Sequence, residues 1–183
     1  RRLVGLKEAT GDLTGAAFEL VALSQRSTPE ASGVARYRAA ELYLLAGQLD
    51  QAIEHFRYYA HNFATPIAVR LEAMHHMDLL YQQTDEPVKR RYWLRKQRDL
   101  YKMLAQDDRT DRAKYLVASS IYVLSENDFQ AFQDTKLTLP LANTLGRKQA
   151  LLTSSLKNYS AVIDIGVFEY VTLSQLRMAQ HYE

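Results

Sequence analysis

The stretch VARYRAAELYLLAGQLDQAIEHFRYYAHNF, Val34 to Phe63, decides the fold. Two helical patterns flank Gly47, and each repeats its apolar residues at separations of three and four, the spacing that gathers side chains on one helix face. Ala39, Ala40, Tyr43 and Ala46 share a face in the first pattern. Leu49, Ala52, Ile53, Phe56, Tyr59, Ala60 and Phe63 share one in the second. Small residues opposite large ones let two antiparallel helices approach closely, so the stretch predicts a helical hairpin turning at Gly47.

In order and spacing, Ala40, Tyr43, the Ala46-Gly47 turn, Asp50, Ala52 and Phe56 resemble one tetratricopeptide repeat. Tyr59 stands where that family usually has alanine, and Pro66 comes later than the family's proline. Gly11-Asp12 followed by Ala16 echoes Gly47 followed by Ala52, 36 residues from glycine to glycine. That is near the ~34-residue period of such repeats. The resemblance implies an all-α, right-handed solenoid of antiparallel helical hairpins, a degenerate tetratricopeptide-like array. It reads as a single domain over 1–183, most regular at 34–63 and less regular after Asp108.

The composition agrees with helices. Only 7 Gly and 4 Pro in 183 residues leave little room for a β-protein built on many turns. The absence of cysteine excludes a disulfide framework, a thiolate metal site and a cysteine nucleophile. It suits a reducing cytosol and an oxidising periplasm equally. No apolar run approaches the ~18 residues of a membrane span, and no signal-peptide pattern is read in these residues, so any targeting segment would lie outside them. A start at Arg1 and a stop at Glu183 inside an apparent helix are what a piece of a longer protein would show.

Outside the central stretch the pattern is helical almost throughout. Leu3 to Ala9 is followed by a helix on Leu13, Ala16, Ala17, Leu20 and Leu23, running to about Arg26. Thr28-Pro29 reads as a cap and first helical residue, and Thr65-Pro66 repeats the device before Ile67 to Gln83. Thr84 to Pro87 uses it again before a long helix from about Glu86 to Ala105. Asp111 to Leu124 carries the stripe Ala113, Leu116, Val117, Ser120, Ile121 and Leu124, and Asn127-Asp128 is expected to turn the chain into a shorter helix. Lys136 to Leu139 is expected to run extended before Pro140. Leu141 to Ile163 is striped by Leu145, Leu152, Leu156, Tyr159 and Ile163, and Gly166 ends it. Phe168, Val171, Gln175, Met178, Ala179 and Tyr182 stripe the last helix. The total is about ten helices in five hairpins.

The run from Lys148 to Tyr182 also resembles the later portion of large repeat-bearing proteins of Gram-negative envelopes, through Tyr159, Gly166, Glu169, Ala179 and Tyr182. That resemblance implies a bacterial envelope or periplasmic setting and an association with energised transport or surface motility.

Chemistry is sparse in the motifs. His55, His61, His75, His76 and His181 include no pair four apart and no HExxH, so packing and surface roles are expected and no metal site. Neither GxxxxGK[ST], GxGxxG nor GxSxG occurs, which leaves no phosphate cradle and no nucleophile elbow. No catalytic residue and no cofactor are therefore expected.

Two surfaces remain. Between Val88 and Lys102 the chain carries Lys89, Arg90, Arg91, Arg95, Lys96, Arg98 and Lys102 against Asp99, a net +6 within a chain of net +2. On a helix Arg91, Arg95, Arg98 and Lys102 fall within about 60°, roughly opposite Trp93, Leu100 and Leu104. This basic patch reads as a solvated face or a dock for an acidic protein, with a nucleic-acid or acidic-ligand regulatory module on helix 88–102 as the alternative. The other surface is the second flank of the helix from Val34, formed by Val34, Tyr37, Glu41, Leu44 and Leu45. In tetratricopeptide repeats the corresponding positions line a concave groove that receives a protein or peptide. Stacking of the preceding hairpin is expected to cover Leu45 and Val34, more than Tyr37 and Glu41. The expected partner-binding residues are Val34, Tyr37, Glu41 and Leu44, on a scaffold without a reaction of its own.

Overall fold

The computed structural model describes residues 2–182. Nine α-helices follow one another among them: α1 (Arg2–Ala9), α2 (Leu13–Ser24), α3 (Pro29–Leu45), α4 (Leu49–Asn62), α5 (Ile67–Gln83), α6 (Pro87–Lys102), α7 (Asp111–Asp134), α8 (Leu141–Ile165) and α9 (Phe168–Gln180). A 3₁₀ turn, Gln106–Asp108, lies before α7, and no strand occurs among the described residues. The chain forms two compact units, Arg1–Trp93 and Leu94–Glu183.

In the first unit each helix packs on the next from α1 through α5. The hairpin turns share one backbone device. Gly11, Gly47 and Asp85 all have positive φ, at 80°, 73° and 53°. Around each, the amide of the following residue reaches back to close the helix: Asp12 to the Lys7 carbonyl, Gln48 to that of Tyr43 and Glu86 to that of Tyr81, all at 2.9 Å. The turn residue itself bonds three residues back, to Glu8, Leu44 and Gln82. This paired pattern satisfies the carbonyls a helix end leaves open, and its left-handed residue explains glycine at the first two turns. The echo between Gly11 and Gly47 is thus a real repeat of backbone geometry, and Asp85 extends it to a third turn.

Most of the stripes read from Val34 to Phe63 are inside, with Ala46, Leu49 and Phe63 half-buried at the ends. Ala39, Ala40, Ala52 and Phe56 are fully buried, with Tyr43, Ile53, Tyr59 and Ala60 nearly so. Burying one such aromatic side chain contributes about 2–3 kcal/mol. Gly33 of α3 sits against the Phe63 ring, where a Cβ would come within 3.1 Å of a ring carbon. Tyr37, Phe56, Tyr59 and His76 then join α3, α4 and α5 in an aromatic cluster, with Phe56 stacked on His76 at 4.4 Å.

In the second unit α7, α8 and α9 pack on one another. Thr110 caps α7 through the Ala113 amide at 3.2 Å, and the expected stripe from Ala113 to Leu124 is buried. Several expectations need correction. Helix α7 does not break at Asn127-Asp128 but runs on to Asp134. The Asn127 side-chain amide donates to the Val123 carbonyl four residues back, and Asp128 accepts from Ser154 and Asn158 of α8, so neither side chain turns the chain out of the helix. Thr65 does not cap α5, whose N-terminus follows Pro66 without a side-chain cap. Residues 135–140 are irregular, and nine α-helices with one 3₁₀ turn stand where about ten helices were expected. The stripe predicted for α9 is rotated: Phe168 is 85% and Tyr182 77% exposed, while Ser174 is fully buried.

Candidate functional site

The α3 flank divides in two. Val34, Arg38, Glu41 and Leu45 lie along one ridge at helical spacing. Its apolar ends are open, with Val34 72% and Leu45 68% exposed, so the preceding hairpin does not cover them as stacking predicted. Glu41 in the middle accepts from Arg38 Nη1 at 3.2 Å, and the same guanidinium gives Nη2 to Glu8 of α1 at 3.2 Å. Tyr37 and Leu44 turn away from the ridge and are half-buried. The Tyr37 ring meets Phe56 and Tyr59 edge-on at 5.4 and 5.3 Å, so much of its surface serves the hairpin's own packing. The four residues singled out from sequence thus share a helix but not a single exposed patch.

On α6 the four basic residues differ as well. Arg95 and Lys102 are exposed, and Arg91 and Arg98 are half-buried. Asp99 lies among them, accepting from Arg98 Nε at 2.9 Å with Lys102 Nζ at 4.0 Å. The hydrogen bond from Arg98 holds the carboxyl of the exposed Asp99 below its usual range, so this aspartate stays ionised and offsets the stripe it sits in. On the opposite side Trp93, Leu100 and Leu104 are buried, as the helical geometry predicted.

Sequence reasoning did not find the polar network of the second unit. Glu126 of α7 takes Arg177 of α9 side-on, with Nε 3.0 and 3.1 Å from its two oxygens and Nη2 2.9 Å from Oε2. Tyr159 of α8 donates its hydroxyl to the same carboxylate at 2.5 Å. Burial first, and then this bond, push the Tyr159 phenol well above its ordinary value. His181 places Nδ1 2.7 Å from the Arg177 carbonyl and Nε2 2.9 Å from Ser155 Oγ. A carbonyl only accepts, so Nδ1 carries a proton, and in the neutral ring Nε2 accepts from the serine. The pair has the polarity of a base and nucleophile, yet Ser155 is fully buried and His181 nearly so, and a substrate has no approach. The pairs that link different helices are 26 to 51 positions apart, and no local spacing announces them.

Among the described residues no group of three His, Asp or Glu converges as a metal centre. Among those residues, too, no helix is long and apolar enough to cross a membrane. The fold and surfaces define a class, an all-α protein whose helices pack in neighbouring pairs, with an exposed apolar and charged ridge on α3. No family model matches the chain, and comparison with curated proteins and with solved structures finds no match.

Proposed function

We propose that this chain is an interaction scaffold that offers the α3 ridge to a partner protein or peptide and has no catalytic activity of its own. The observation that carries the reading is the pair of open apolar residues, Val34 and Leu45, set on a helix whose other face is locked by Ala39, Ala40 and Tyr43. A rigid apolar surface costs little entropy to bind, and the Arg38–Glu41 pair between its ends gives a partner a polar register. The recurring turns at Gly11, Gly47 and Asp85 support the finer reading, a tetratricopeptide-like array of hairpins wound as a right-handed solenoid. A bacterial envelope setting rests on the resemblance of the run from Lys148 to Tyr182.

Site-specific photo-crosslinking in the source cells tests this. A photoreactive residue at Val34 or Leu45 is expected to give one discrete protein adduct that Glu41→Lys weakens, and the same residue at Gln51 is expected to give none. Adducts formed from Arg95 alone would move the site to α6, and salt-sensitive nucleic acid in them would make the chain a nucleic-acid module.

A further inference from the structure

We propose that the α3–α4 hairpin is acid-sensitive, because Arg36 of α3 and His55 of α4 hold the two helices together only while the imidazole is neutral. Arg36 Nη1 lies 3.0 Å from His55 Nδ1. A guanidinium has donors only and keeps its charge at every accessible pH, so Nδ1 must present its lone pair and the ring proton must sit on Nε2.

The setting gives this bond its weight. His55 is 6% exposed and stacks on Tyr43 at 5.4 Å with 17° between the planes. The Arg36 guanidinium carbon lies 4.5 Å over the Tyr58 ring, and its Nε is buried without an acceptor. No carboxylate is among the described partners of Arg36, so the neutral imidazole is the acceptor that makes this partly buried cation tolerable. A proton on Nδ1 would turn that acceptor into a donor and leave two cations 3.0 Å apart in a poorly solvated place.

The groups facing the imidazole are Arg36 and Tyr43 from α3, and Glu54 beside it in α4. Burial holds the imidazole below its ordinary value of 6.5; Glu54 opposes this and Arg36 reinforces it. An unfolded chain takes up the proton near 6.5, and the folded chain resists it. The stability held by the neutral pair is therefore complete above that pH and is lost as pH falls through the lower folded value. Below it Arg36 loses its acceptor on His55, and the hairpin loses a tie between its helices. This holds whether or not α3 binds a partner.

Thermal unfolding of the full chain at pH 7.5 and pH 5.0 tests the proposal with His55→Asn, which keeps an acceptor near Nδ1 and cannot titrate. The parent midpoint is expected to fall by at least about 3 °C more than that of His55→Asn over this interval. Arg36→Met, which removes the second cation, is expected to shrink the parent's acid loss as well and serves where His55→Asn does not fold. Nitrogen NMR at pH 7.5 is expected to show His55 Nδ1 unprotonated. An equal acid loss in parent and variants, or a protonated Nδ1 at pH 7.5, would overturn the proposal.

Discussion

Arg90 Nε donates to Asp78 Oδ1 at 2.7 Å, joining α6 to α5 at the two positions that Ala40 and Ala52 occupy in the preceding hairpin. Counted from the turn residues Gly47 and Asp85, both pairs lie seven residues before and five after. One hairpin has two buried alanines at these positions and the next a part-buried ion pair. The recurrence of the turn fixes the positions, and chemistry differs within them.

Removing one partner of that pair is expected to cost more than removing both. The Asp78 side chain is 5% exposed and that of Arg90 24%, so a stranded arginine can reach water and a stranded aspartate cannot. Arg90→Ala should therefore destabilise by about 3 kcal/mol and Asp78→Ala by less. Denaturant unfolding of both singles and the double completes the cycle, and a double that equals the sum would show that the pair contributes nothing as a pair.

Ala40→Leu and Ala52→Leu should each overpack the α3–α4 hairpin, since both alanines are fully buried. The expected cost is about 1–3 kcal/mol each. Unfolding midpoints equal to the parent's would show that neither site is tightly packed.

The second unit should weaken in alkali. Tyr159 is held protonated by burial and by its bond to Glu126, and burial pushes Tyr170 up to about 12. An unfolded tyrosine ionises near 10.0, so the contribution of these phenols is complete below that pH and is lost as pH rises through their folded values. Chemical unfolding from pH 8 to pH 11 should show the decline, with a shallower slope in Tyr159→Phe, whose stability at pH 8 is lower by about 1–2 kcal/mol for the lost bond.

Gln97→Met should be neutral or stabilising by up to about 1 kcal/mol. Gln97 is fully buried, and its Nε2 has no acceptor. Its Oε1 lies 2.9 Å from Ser120 Oγ, which is also 2.9 Å from the Leu116 carbonyl and has one proton to give. Replacing a half-satisfied amide by an apolar chain of similar length removes a desolvation cost, and Ser120 keeps its bond to Leu116. A loss above about 2 kcal/mol would mean the amide makes a bond through a buried water.

What the residues alone determined was local. The bounds of α5, the buried stripe of α7, the cap at Thr28, and the turns at Gly11 and Gly47 follow from helical periodicity and backbone preference, which act over a few residues. The tertiary structure decided which faces point inward and what the chosen residues touch. Helix α9 carries apolar residues around most of its circumference, so periodicity names no inner face. The pairing of Arg177 with Glu126, 51 residues away, and of His181 with Ser155 turns Ser174 inward and leaves Phe168 outside. Likewise Tyr37 was legible as one member of a helix flank, but its half-burial depends on Phe56, Tyr59 and His76, which come from two other helices. Local geometry places a side chain on a helix, and the partners that give or deny it water are set by the rest of the chain.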